Sequence, residues 1–296
     1  MEVAADITGR WRAAPNHVHI GTPIMLGTPV WIGGPEIDIP TPRPPAQETW
    51  DPPVTVAVLD TGLDPHPWFA ARPWFTEWGL HPEILDHDTD GTPDWQAGHG
   101  TFVAGVLITG APGVTIRHHR VLSSMGITDD ATVAAAIGAT RARGHIDITL
   151  ITSGCYTADN QCPPILEHEL TRSGDTVIVA AAGNSGSSRP FWPAALNDVI
   201  AVAATDETGT IAAFSNRGPW VNATAPGVDI TSSHVRLTTN TEGVAPGTEA
   251  REYGVARWSG TSFAAPRVAA DLANLLHAGH TPSQALDSHS LGQPTL

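Results

Sequence analysis

The chain has 296 residues, room for one large domain or two modest ones, and 41 % of them are hydrophobic, enough for a buried core. A formal charge of −15, from 15 basic and 30 acidic residues, argues against a phosphate-binding surface, so nucleic acid is not expected as a partner. Every basic residue is Arg, which excludes a Walker lysine, a Schiff base and a Ser–Lys dyad. Residues 1–53 read as an arm or linker, because GGPEIDIPTPRPPAQETWDPP is crowded with proline and favours extended chain. VTVAVLD (54–60) then reads as a buried parallel strand, and GHGTFVAGVLITG (98–110) as a small-residue helix. VTIRHHRVL (114–122) is a strand, and DDATVAAAIGATRARG (129–144) a helix with acidic residues first and Arg and Gly last. A strand is predicted at 146–152, a helix at 163–174, strands at 176–182 and 198–204, and a helix at 265–279. The polar tail, 281–296, reads as loosely docked.

This alternation predicts an α/β domain over 54–280, with a doubly wound, mostly parallel sheet and helices on both faces. Functional residues in such sheets gather at the carboxyl ends of strands. No apolar run approaches the roughly 18 residues of a membrane-crossing helix. The first residues, MEVAADITGRWRAAPNHVHIG, lack the basic start and apolar stretch of a secretory leader, so the expectation is a cytoplasmic chain with no membrane span.

Four positions can carry chemistry, and each has a plainer reading. Asp60 ends the first core strand, as a turn residue or as a buried carboxylate orienting a histidine. His99 lies between two glycines, either as a satisfied interior histidine or as a base. Asn184 follows a strand, as a left-handed turn residue or as an amide donor to an oxyanion. Ser262 precedes a helix, as an N-cap or as a nucleophile beside the unpaired amides of a helix start. Pro266 is expected near that start, where it costs little. Together the four supply the orienter, base, oxyanion donor and nucleophile of acyl transfer.

The motifs VAVLDTG, HGTFVAG and GTSFAAP, in that order, resemble the Asp, His and Ser motifs of the subtilisin-like serine proteases, the subtilase family. AAGN at 181–184 resembles that family's oxyanion segment, and FSNRGPWVNATAPGVDI (214–230) the stretch between it and the Ser, so the likeness runs from about 54 to about 277. The resemblance implies a three-layer α/β/α fold and a serine endopeptidase. Asp60 would orient His99, His99 would take the proton of Ser262, and Asn184 with the Ser262 amide would hold the oxyanion. It also implies that Thr152, Ser153 and Gly154 pair with a protein or peptide substrate bound as an extended strand. Ala181, Ala182 and Gly183 would form the opposite wall of the primary pocket. Phe102 departs from the family's frequent His-Gly-Thr-His, and Leu150–Gly154 from its Asn-x-Ser-x-Gly.

Several features stay open. Cys155 and Cys162 form either a disulfide or two thiols. DHDTDG (86–91) opens like a calcium loop, but Ala97 stands where a bidentate Glu is needed, so it reads as a solvated acidic loop. No cofactor is required for the chemistry, structural calcium is possible only by family analogy, and the metal site is unknown. His118-His119 and His17/His19 have no carboxylate or Cys at ligand spacing and read as composition. The arm is too proline-rich for the compact inhibitory prodomain of many secreted family members, so either the enzyme matures without one or the arm has another job, covering the cleft or docking on a partner. An α/β-hydrolase is rejected because its acid and His follow its Ser. A catalytically silent subtilase fold used for binding or regulation is the alternative.

Overall fold

The structure is a computed structural model that describes residues 14–21, 35–37, 39–78, 81–239, 244–245 and 248–288. Its first strand, Val18–Gly21 (β1), lies inside the segment expected to be an arm. Thr55–Asp60 (β2) is the predicted first core strand, buried along its whole length. Pro73–Trp78 (α1), His99–Gly110 (α2), Thr115–Arg120 (β3), Ile127–Asp129 (β4) and Asp130–Ala142 (α3) follow. Then come Ile148–Ile151 (β5), Ser153–Gly154 (β6), Pro164–Thr171 (α4), Val177–Ala181 (β7) and Val199–Thr205 (β8). Ala223–Pro226 (β9), Ile230–Leu237 (β10), Arg251–Trp258 (β11), Thr261–His277 (α5) and Pro282–Ser288 (α6) complete the order.

Six strands form one parallel sheet in the order β3-β2-β5-β7-β8-β9. The alternation of β2 shows why helices cover both faces. Val56 and Val58 join the core built with Phe102, Val106 and Leu107 of α2 and Val268 and Leu272 of α5. Ala57 and Leu59 join a second core with Val133 and Ile137 of α3 and Leu166 and Leu170 of α4. The result is the three-layer α/β/α arrangement expected from the sequence. β10 and β11 make an antiparallel hairpin, and β4-β1-β6 a small antiparallel sheet.

Two expectations change. The last long helix begins at Thr261, four residues before the predicted start, with Gly260 as its N-cap. Ser262 is therefore its second residue and not its cap, and Pro266 lies inside the helix, where it deletes the bond that would end on the Ser262 carbonyl. The expected loose tail holds α6, whose Ala285 is buried. The proline-rich segment is docked on the domain. Trp50 stacks on His277 at 4.3 Å, and the buried Arg72 guanidinium donates to the carbonyls of Ala46, Trp68 and Pro112.

Candidate active site

Asp60 closes β2 at its carboxyl end, and His99 is the first residue of α2. Gly98 takes the left-handed conformation (φ 79°) that starts the helix there, and a Cβ on it would sit 2.6 Å from the Val235 carbonyl. Gly100 approaches so closely that an added Cβ would stand 2.2 Å from the Gly62 carbonyl. These contacts bring His99 Nδ1 within 2.7 Å of Asp60 Oδ1. The same oxygen accepts the Thr61 amide at 2.7 Å, and Oδ2 accepts the Thr152 hydroxyl at 2.5 Å. Burial alone would raise the Asp60 carboxyl, but His99 and the Thr152 hydroxyl hold it below its ordinary value, so it stays ionised. Trp258 and Phe263 pack against the His99 ring at 5.6 and 5.2 Å. Phe102 fills the space beside them, 4.5 Å from Phe263, where a polar ring would have to find a partner.

Ser262 lies at the start of α5, fully buried, with its hydroxyl donating to the Thr152 carbonyl at 3.3 Å. His99 Nε2 is buried and makes no hydrogen bond, so the bond between base and nucleophile is not formed in this arrangement. Asn184 Oδ1 accepts both the amide and the hydroxyl of Thr261 at 2.9 Å. Because a backbone N–H can only donate, that contact fixes which way the amide faces and turns its NH₂ group away from Thr261.

Thr152, Ser153 and Gly154 come at the end of β5 and Ala181, Ala182 and Gly183 at the end of its parallel neighbour β7, and all six are buried. Phe191 beside them was not legible in the sequence. An added Cβ would meet the Phe191 ring at 2.5 Å from Gly154 and at 3.0 Å from Gly183, so this one buried side chain touches both segments. Tyr156 backs it at 5.0 Å, and Asn216 donates to the Tyr156 hydroxyl and the Ala182 carbonyl.

The groove beside Ser153 and Gly154 is filled by β1, with His19 Nε2 2.6 Å from Asp130 Oδ1 and His17 Nδ1 2.8 Å from Oδ2. Two histidines set aside in the sequence thus meet a carboxylate 111 and 113 positions away. Cys155 Sγ lies 4.0 Å from Asp130 Oδ1, so His19, Asp130 and Cys155 could offer ligand atoms to one metal ion, although the hydrogen bonds already satisfy the carboxylate. Cys155 and Cys162 are free thiols, so the disulfide alternative is not formed, and burial pushes both up to about 12. Neither is a thiolate at neutral pH.

The acidic loop holds itself together. Asp86 accepts the amides of Asp90 and Gly91, Asp90 the amide and hydroxyl of Thr92, and Asp94 the His87 amide. Asp86, Asp88 and Asp94 bring three carboxylates close to one another.

Glu83 was also missed by sequence reasoning. It is fully buried under α2, where Oε1 accepts the Thr101 amide at 2.8 Å and Oε2 has no partner. Burial, with Asp64 beside it, pushes its carboxyl from 4.5 up to about 8. The folded chain therefore keeps a proton that the unfolded chain releases between those values. The stability this proton confers is complete below pH 4.5 and declines as pH rises to about 8. Glu83→Gln keeps the acceptor for Thr101 and removes the proton. Its melting temperature is expected to fall less across that window than that of the parent, and parallel curves in thermal melts at several pH values would contradict this.

A family model described as the subtilase family matches residues 51–288. The chain is 33 % identical over 228 residues to a thermophilic serine proteinase of Bacillus sp. (strain AK1), an alignment covering 72 % of this chain and 50 % of that protein. Thermitase of Thermoactinomyces vulgaris is 31 % identical over 246 residues, covering 77 % and 76 %. A crystal structure of a cold adapted subtilisin-like serine proteinase matches with a TM-score of 0.60 at 24 % identity, covering 85 % of this chain and 86 % of that one, a likeness of fold. The chain spans half the length of the Bacillus proteinase and 76 % of thermitase.

Proposed function

Because the chain belongs to the subtilase family of subtilisin-like serine proteases, we propose that it is an endopeptidase that cleaves through Asp60, His99 and Ser262. The observation that carries this reading is the 2.7 Å bond from His99 Nδ1 to an ionised Asp60, at the sheet end where α5 presents Ser262. Asp60 fixes the ring with its proton on Nδ1, leaving Nε2 as the base. Rotation of the Ser262 hydroxyl away from the Thr152 carbonyl brings it to Nε2, a contact that tightens when substrate is bound. Nε2 takes the hydroxyl proton as Oγ attacks the peptide carbonyl. The oxyanion receives hydrogen bonds from the Asn184 NH₂ group and the Ser262 amide. Nε2 then hands the proton to the leaving amine, and water repeats the sequence on the acyl-enzyme.

One observation favours the second reading, a silent fold used for binding: His99 and Ser262 are both fully buried and not bonded to each other. A serine-directed fluorophosphonate probe separates the two. Labelling of the intact chain that disappears in Ser262→Ala supports the peptidase, and a chain that never labels supports the binding module.

The floor of the pocket indicates the side chain accepted beside the scissile bond. On this reading Phe191, packed beside Gly154 and Gly183, is that floor and restricts the pocket to a small residue. Phe191→Gly is expected to shift the preference toward large apolar side chains by about 10- to 100-fold in relative kcat/KM. A peptide series varied at that position checks this, and an unchanged ranking would count against Phe191 as the floor.

Among the described residues no helix is long and apolar enough to cross a membrane. The partner proposed is an extended peptide, and the charge of −15 argues against nucleic acid.

A further inference from the structure

Strand β1 is itself a peptide lying in the groove. It pairs antiparallel with both neighbours, Val18, His19 and Ile20 with Asp129, Thr128 and Ile127, and Ile20 and Gly21 with Gly154 and Ser153. The Gly21 amide donates to the Gly126 carbonyl at 2.8 Å. The direction of the strand matters. Its carboxyl end points toward Thr152, whose carbonyl accepts the Ser262 hydroxyl. A substrate in the same register would place its next residue opposite Thr152 and present that residue's carbonyl to Ser262.

Only alternate side chains of such a strand are read by the groove. Val18 is 63 % exposed and Ile20 38 %, whereas His19 is wholly buried. The groove meets His19 with Asp130, itself buried, whose Oδ1 lies 2.6 Å from the imidazole Nε2. Asp130 Oδ2 takes both the His17 amide and its ring nitrogen. A buried carboxylate needs donors, so a peptide that brings none leaves it uncompensated. At Gly21 the groove is narrow, since an added Cβ would stand 2.2 Å from Gln96 Oε1.

We propose that β1 holds the place of the substrate and that Asp130 is the specificity-determining residue of the groove. On the endopeptidase reading above, on which this rests, the preferred peptides carry an imidazole or cationic side chain three residues before the residue whose carbonyl is attacked. A glycine or another small residue stands immediately before the attacked one. The arm competes with them for the same pairing, because it carries the same features.

The test uses the full chain and fluorogenic peptides that differ only at the position matching His19. The intact enzyme is expected to favour His, Arg or Lys over Leu by at least about tenfold in kcat/KM. Asp130→Leu should reverse that order. His19→Ala, which alters the arm and leaves the groove intact, should lower the apparent KM about tenfold by weakening the internal competitor. It also keeps the test open if Asp130 variants fail to fold. Fluorophosphonate labelling of each form reports Ser262 independently. A labelled enzyme with a flat profile, or a His19→Ala form with the parent's KM, overturns this inference alone. A chain that never labels in any form overturns the peptidase reading and this inference with it.

Discussion

Ser262→Ala is expected to lower kcat by about a millionfold, the scale set by the reference case for this chemistry, subtilisin itself. The side chain lost is one oxygen, whose bond to the Thr152 carbonyl is a long one of 3.3 Å. Alanine is the best helix former, and the site is the second residue of α5, so the fold should lose little. The donors at Asn184 and the residue 262 amide remain, and with substrate binding they leave a residual acceleration of about 10³–10⁴ over water. KM should hardly move, since the hydroxyl contributes to the transition state and little to ground-state binding. Displacement of β1 affects parent and variant equally and cancels in the ratio. Turnover of a chromogenic peptide, with a thermal melt as control, checks the expectation. A loss below about a hundredfold with an unchanged melt would remove Ser262 from the nucleophile's role.

The second large effect is at Asp60. Asp60→Ala is expected to cost about 10⁴-fold in kcat, again on the scale of that reference enzyme. Asp60→Asn should cost less, for a reason specific to this site. Oδ1 accepts the Thr61 amide, which can only donate, so an asparagine must keep its oxygen there. That oxygen still accepts from His99 Nδ1. The new NH₂ group would fall at Oδ2, opposite the Thr152 hydroxyl, which can turn and accept it. Orientation of the ring then survives and only the charge is lost. The difference in kcat between the two variants, measured on one peptide, separates positioning from electrostatics. Equal losses would mean that the carboxylate acts by its charge alone.

How much of this was legible in the sequence follows from where each signal resides. β2 could be read because TVAVLD is a β-branched apolar run, buried on both faces, whose period and composition are local facts. Asp60, His99, Asn184 and Ser262 were ambiguous one by one. Their order in the chain and their placement at strand and helix ends singled them out. The start of α5 was misplaced because Pro266 resembles a first-turn proline, whereas the packing of Phe263, Ala264 and Ala265 extends the helix past it. β1 was not legible, since HVHIG sits among Pro and Gly and its pairing partners lie more than a hundred residues on. The same distance hid Asp130 behind two histidines that read as composition. Phe191 carries no periodic signal in RPFWPAAL, and only the fold brings it behind two glycines.

The order of elements also sets the timing of chemical competence. On the peptidase reading, orienter and base stand at residues 60 and 99, but the nucleophile waits on α5, which comes after the sheet and packs against α2 and the sheet. A growing or half-folded copy thus carries an imidazole and its carboxylate with nothing to activate. On the peptidase reading, ribosome-bound chains are harmless to one another, and danger begins only with a molecule whose own strand already lies across its groove.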